Sequence, residues 1–384
     1  MPKSYVFVLH GIGDYIDGWM DQESTAVTGI RKSAPQYSFF QNRSLDEDVE
    51  FVSVMYDDVF KRVMHHWANL AESLENAIPI RPEFLDPIIG FLSQADDDEW
   101  WAHTGADVLL YWGFKLFRQR VTLRVLAQIS DKVANTINDP TGRPAYHVLA
   151  HSLGTSVAHD ALHHLGTESW LGDGPVPIGD DDDGPQARDE LQRYRQSVAA
   201  IREISGIASP FSPAFFPFNS VTMLSNTSAL IYGITSPYQS IVRPGSSTHH
   251  GAYTNNYLNV NHQFDPISAV GNFNMPAAWK QAAAGGSDIT LKHLVELDDL
   301  QKIHSASYYC IHPLVHLPLL QLYVDSYFAT DDDVRAANSF TSRNRITRFP
   351  DQVEEQLDLI KEGELEGYVE LIELLKQLKD VFDE

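Results

Sequence analysis

The residues best able to do chemistry are Ala150-His151-Ser152-Leu153-Gly154. A serine hydroxyl is a weak nucleophile until a neighbouring base takes its proton. The G-x-S-x-G pattern, here with Ala in the first position, lifts a serine Oγ above a sheet when a strand precedes it and a helix follows. Strand and helix then approach so closely that the positions two before and two after the serine must be small. Ala150 keeps only a methyl group and Gly154 has no side chain. At the helix start the backbone N–H of Leu153 can face a developing oxyanion. His10-Gly11-Ile12 offers the second half of such a site. A loop there can set the N–H of Ile12 opposite that of Leu153, and glycine lets the backbone approach an acyl carbon. His159 and His163, four apart on one predicted helix, have a spacing that formally suits a metal. No H-E-x-x-H pattern accompanies them, so no metal is expected.

Strands and helices must hold these residues in place. Tyr5 to Leu9 is a short apolar run ending at His10, and Val49 to Met55 reads as a second strand. Asp107 to Trp112 is a weaker strand candidate. Leu116 to Ile137 carries Val121, Val125, Ile129, Val133 and Ile137 at helical spacing and stops at Asn138-Asp139-Pro140-Thr141-Gly142. Tyr146 to Ala150 is a buried strand, and Val157, Ala161 and Leu165 pattern a helix directly after Ser152. Further strands are predicted at Ser220–Leu224 and Tyr257–Val260. Strands alternating with helices over this length imply an α/β fold with a mainly parallel central sheet covered on both faces.

On these motifs the chain resembles the α/β-hydrolase superfamily, specifically its lipase and esterase branches with an HGxGD start and an AHSLGT elbow. The resemblance spans residues 4–328 and rests on His10 to Asp14, Asp107-Val108-Leu109, Val148 to Thr155, Asn261 to Ile267 and His304 to Tyr308. It implies the chain order serine, acid, histidine. The family acid follows a late strand, which matches Asp265 after Tyr257–Val260, with Asp288 as the alternative. The family histidine follows the last strand, here Ile289–Leu291 or Leu294–Leu297, and precedes a helix. His304, ahead of the helix-like Pro313 to Phe328, matches. His312 and His316 fall within that apolar segment and read as caps or packed residues, and His151 as the elbow residue that packs beside the sheet. The implied activity is hydrolysis of carboxylic esters, of small molecules or of acyl lipids, through an acyl-enzyme on Ser152 and without a cofactor. A thioester or amide would use the same triad. A catalytically silent domain used for interaction is the reading of a different class.

Composition narrows the field further. Acids outnumber bases by 52 to 28, a net charge of −24, which argues against a nucleic-acid partner. The single cysteine excludes an internal disulfide framework. No apolar run approaches a membrane span, and no basic start or small-residue cleavage site precedes Tyr5. A cytoplasmic protein without stable membrane insertion is expected. Eleven lysines against seventeen arginines, with acid runs at Asp96–Glu99, Asp180–Asp183 and Asp331–Asp333, read either as solvated loops or as a salt-adapted surface. A catalytic domain over 1–330 would carry two insertions, at 78–105 and 166–218. The second contains a polar helix near Asp189 to Arg202 and ends in a Pro- and Phe-rich stretch. Phe215 and Phe216 there either cover one end of the sheet or line an apolar acyl pocket or lid. Residues 331–384 form an acidic extension with two amphipathic helices. These are expected to dock on the body or on a second copy of the chain.

Overall fold

The computed structural model describes residues 3–11, 15, 18–60, 62, 115–167, 170–171, 184–205, 218–228, 244, 254–262, 265, 273–280, 285–291 and 304–343. The chain divides into two compact units, one of Met1–Tyr56 with Arg120–Asn344, the other of Asp57–Gln119 with Arg345–Glu384. All the strands named below lie in the first. The expected strand at Asp107–Trp112, the insertion at 78–105 and the two amphipathic helices beyond 350 lie outside the described residues.

Six strands form one sheet: β1 (Ser4–Leu9), β2 (Val49–Val54), β3 (Ala145–His151), β4 (Phe218–Leu224), β5 (Thr254–His262) and β6 (Gly286–Leu291). Their order is β2-β1-β3-β4-β5-β6, and every neighbouring pair is parallel. This α/β architecture agrees with the alternation read from the sequence. β1 is buried along its whole length and β3 and β4 nearly so. Burial on both sides of each strand fits a sheet covered on both faces, whereas the outer strand β6 is largely accessible. Val6 and Val8 join a core with Val27, Ile30, Tyr309, Val315 and Leu320. Phe7 points the other way by strand alternation, and its ring meets Tyr146 and Phe218.

Among the described residues the α-helices are α1 (Ala26–Ser33), α2 (Lys115–Thr136), α3 (Leu153–Gly166), α4 (Gly184–Ser205), α5 (Ala306–Cys310), α6 (Pro313–Tyr323) and α7 (Asp331–Arg343). Thr25 caps α1 by accepting the Thr28 N–H, and His312 caps α6 by accepting that of Leu314. Arg124 on α2 is ion-paired with the buried Glu190 on α4. The acid run Asp331–Asp333, read above as a solvated loop or a salt-adapted surface, is the first turn of α7. Acids are favoured there because the helix dipole is positive at that end. Asp333 also takes the Thr330 N–H at 2.9 Å and the Tyr327 hydroxyl at 3.3 Å. Its helix packs with the first unit, where Ala337 joins the core. None of the described helices is long and apolar enough to cross a membrane.

Candidate active site

Strand order decides where a site can form. The chain leaves β1 for the edge strand β2 and returns to β3 on the other side of β1. That reversal opens a crevice at the carboxyl ends of β1 and β3, the favoured place for ligands in open α/β sheets. Register sets the loops beside one another. Leu9 pairs with Ala150, so His10 and Gly11 run alongside His151 and Ser152. His151 pairs with Leu224, which puts Ser225 next to Ser152.

Ser152 joins β3 to α3 at φ 53°, ψ −131°, a conformation that side chains seldom adopt. The turn is held from several sides. The Ser152 N–H donates to Leu224 O at 3.0 Å, and the Thr155 N–H, Thr155 hydroxyl and Thr227 hydroxyl all donate to Ser152 O within 3.0 Å. The need for small flanking residues has a direct steric cause. A methyl group on Gly154 would overlap His10 O and lie 2.8 Å from Leu9 O. One on Gly11 would come within 2.8 Å of Ser152 Cβ. The backbone after β1 therefore lies against Ser152 and the start of α3. His10 is itself fixed: its Nδ1–H donates to Gly11 O at 2.8 Å, the Tyr56 hydroxyl donates to His10 O, and its ring lies 4.2 Å from those of Tyr15 and Tyr56.

The structure brings Ser152, His304 and Asp265 together. His304 Nε2 lies 3.0 Å from Ser152 Oγ, and His304 Nδ1 lies 2.9 Å from Asp265 Oδ2. An ionised carboxylate only accepts, so Nδ1 carries the hydrogen and Nε2 is left to accept from the serine. Ser152 and Asp265 are buried, while the imidazole keeps 13% of its surface exposed. Burial alone would raise the Asp265 pKa. The charge of His304 and hydrogen bonds from His304, Tyr309 and Ser225 outweigh it and hold the carboxyl well below the usual range. A permanent anion against Nδ1 is the arrangement that favours proton transfer from the serine to Nε2.

Other expected residues fall elsewhere. Asp288 sits on β6, accepting from Asn259 Nδ2 at 2.9 Å and paired with Lys280, and the imidazole bonds Asp265 instead. His316 is packed between the Tyr37 hydroxyl and Cys310 O, and His159 against the Tyr257 hydroxyl. Leu153 is the first residue of α3, where a helix N–H has no intrahelical partner. Ile12, Phe215 and Phe216 lie outside the described residues. Among the described residues no group of three or more His, Cys, Asp or Glu could hold a metal ion.

Three contributors were missed by the sequence reading. Tyr309 donates to Asp265 Oδ2 at 2.5 Å, Ser225 bonds the same carboxylate, and His151 Nε2–H donates to His304 O at 2.7 Å. The one sequence signal was the polar run Ser225-Asn226-Thr227-Ser228 directly after a buried strand. Compared with protein-family models, with curated proteins and with solved structures, the chain matches none of them.

Proposed function

We propose that this protein is a serine hydrolase of the α/β-hydrolase type that cleaves carboxylic esters through an acyl-enzyme on Ser152. One observation carries the reading: an unbroken hydrogen-bonded chain from Ser152 Oγ through His304 to Asp265, with the serine on a strained strand-to-helix turn. The chain order of the three residues and their place beyond the strand ends support the same reading.

His304 Nε2 takes the Ser152 proton as Oγ attacks the acyl carbon. Asp265 keeps Nδ1 protonated and stabilises the imidazolium that forms. Negative charge then collects on the former carbonyl oxygen, and the Leu153 N–H at the head of α3 is the donor the turn supplies for it. Ile12 is the proposed second donor. The imidazolium returns its proton to the leaving alkoxide, and water activated by His304 later releases the acid. No step calls for a cofactor. Substrates would be small-molecule or lipid esters.

A fluorophosphonate probe tests the reading, because it reacts only with an activated serine. The wild-type chain should be labelled at Ser152 and should hydrolyse a short p-nitrophenyl ester. Ser152→Ala should lose both and melt as a folded protein. A wild-type chain that takes no label would end this reading and leave an interaction domain in its place.

A further inference from the structure

Two donors converge on one oxygen of Asp265. The first is His304 Nδ1–H, at 2.9 Å from Oδ2, and the second is the Tyr309 hydroxyl, at 2.5 Å from the same atom. We propose that Tyr309 is a positioning residue for Asp265, orienting the carboxylate and tempering the charge with which it grips His304. This deepens the serine hydrolase reading and rests on it.

The geometry supports such a role in three ways. A carboxylate oxygen offers two lone-pair directions, so the tyrosine fills one and leaves the other for the imidazole. That fixes the carboxylate plane. A short bond from a neutral hydroxyl to a buried anion belongs to the strong class, and Tyr309 and Asp265 are both fully buried. The tyrosine also arrives with the imidazole, five residues later in the same segment. That segment is pinned to the start of the chain. The Ser307 N–H donates to Ser24 O at 2.9 Å, and α5 lies so close to α1 that a methyl group on Gly29 would meet Ser307 O at 2.8 Å and Cys310 Cβ at 2.9 Å. Packing alone would need only the ring of Tyr309, which touches the rings of His151 and His262. The hydroxyl is the part that reaches Asp265.

Charge gives the hydroxyl its consequence. A carboxylate that shares its charge with a donor attracts the His304 proton less strongly. Without the donor the imidazolium is held more tightly, and the acid limb of activity moves to higher pH. The titratable groups around the pair are His304, His151 on β3, His262 on β5 and Tyr308, with Ser225 as a further hydrogen-bonding neighbour. Burial pushes His151 down to about 3, so it stays neutral through the working range.

Tyr309→Phe keeps the ring and removes the bond. For a p-nitrophenyl ester kcat should fall roughly ten- to a hundredfold, KM should hold, and the acid limb should shift upward. Adding Tyr309→Phe to Asp265→Asn should cost almost nothing further, because the carboxylate it serves is gone. The low-field proton resonance of His304 Nδ1–H should also move in Tyr309→Phe. An unchanged kcat and pH profile would overturn the proposal, as would an equal loss in both backgrounds, which marks packing. A wild-type chain that takes no fluorophosphonate would sink the hydrolase reading separately. The His304 proton resonance would then decide Tyr309 alone, and a resonance that does not move would reject it.

Discussion

Gly154→Ala should slow the nucleophile without touching any of the reacting groups. The added methyl would stand 2.8 Å from Leu9 O, where ordinary contact begins at 3.4 Å, and still closer to His10 O. Both obstacles are backbone atoms at the end of the inner strand β1, so neither can rotate away. The N-terminus of α3 must therefore retreat by more than the 0.6 Å overlap, carrying Leu153 and Ser152 with it. A misplacement of about 1 Å can cost about a hundredfold in rate, so a loss of roughly ten- to a hundredfold is expected here. Overpacking of this kind costs about 1–3 kcal/mol, which at this chain length lowers Tm by about 1–4 °C. The assay is the second-order rate of fluorophosphonate labelling, read beside a melting curve. Gly18→Ala is the control. Gly18 has φ 81° with nothing within 4 Å of the added carbon, so that change strains the backbone alone. It should lower Tm by a comparable amount and leave labelling untouched. Gly154→Ala labelled at the wild-type rate, or Gly18→Ala slowed as much, would refute the steric argument.

Other perturbations have equally definite outcomes. Asp265→Asn should lower kcat by about four orders of magnitude, whereas Asp288→Asn should leave ester hydrolysis near wild type, and the reverse pattern would move the acid to β6. Burial pushes His10, His147, His151 and His159 down to about 3 and His316 to about 4, from an ordinary value of 6.5. The unfolded chain binds these protons first, so the stability from keeping the five neutral is present above pH 6.5 and is lost as pH falls below it. Between pH 7 and 5.5 the loss is about 6 kcal/mol, so Tm should drop steeply over that interval, and a flat profile would show the histidines are not neutral in their sites. Raising sodium chloride from 0.01 M to 1 M shortens the Debye length from about 30 Å to about 3 Å, so a chain of net charge −24 should hold or gain Tm, and a steady fall would reject salt adaptation.

The elements legible in the sequence are those whose signal is local. β1 announces itself as the apolar run Tyr5 to Leu9, β3 by Val148-Leu149-Ala150, β4 by Val221, Met223 and Leu224, α2 by its spacing of Val121, Val125, Ile129 and Val133, and the serine turn by small residues that must lie against β1. Asp265 and His304 required the chain order of a known family, because nothing near either residue marks it out. Tyr309 was illegible for a physical reason, and Ser225 showed only as the start of a polar run: a buried tyrosine and a serine after a strand are ordinary core residues until the fold turns their hydroxyls onto one carboxylate. α7 was hidden by its own first turn, since three consecutive aspartates look like a solvated loop and the helix dipole that welcomes them exists only once the helix forms.

The clasp between α1 and α5 bears on when the proposed triad can assemble. A chain made from its N-terminus has β1, β3 and Ser152 in hand long before residues 304–310 exist. Its nucleophile then has neither a base nor an anchor for one. The contacts that complete the site, such as Ser307 to Ser24 and His304 to Ser152, join residues far apart in sequence, so they cannot form until residues 304–310 have been made. Reactivity of Ser152 would thus report completed folding rather than the presence of the serine. On the proposed mechanism, a chain ending before His304 would leave Ser152 without its base.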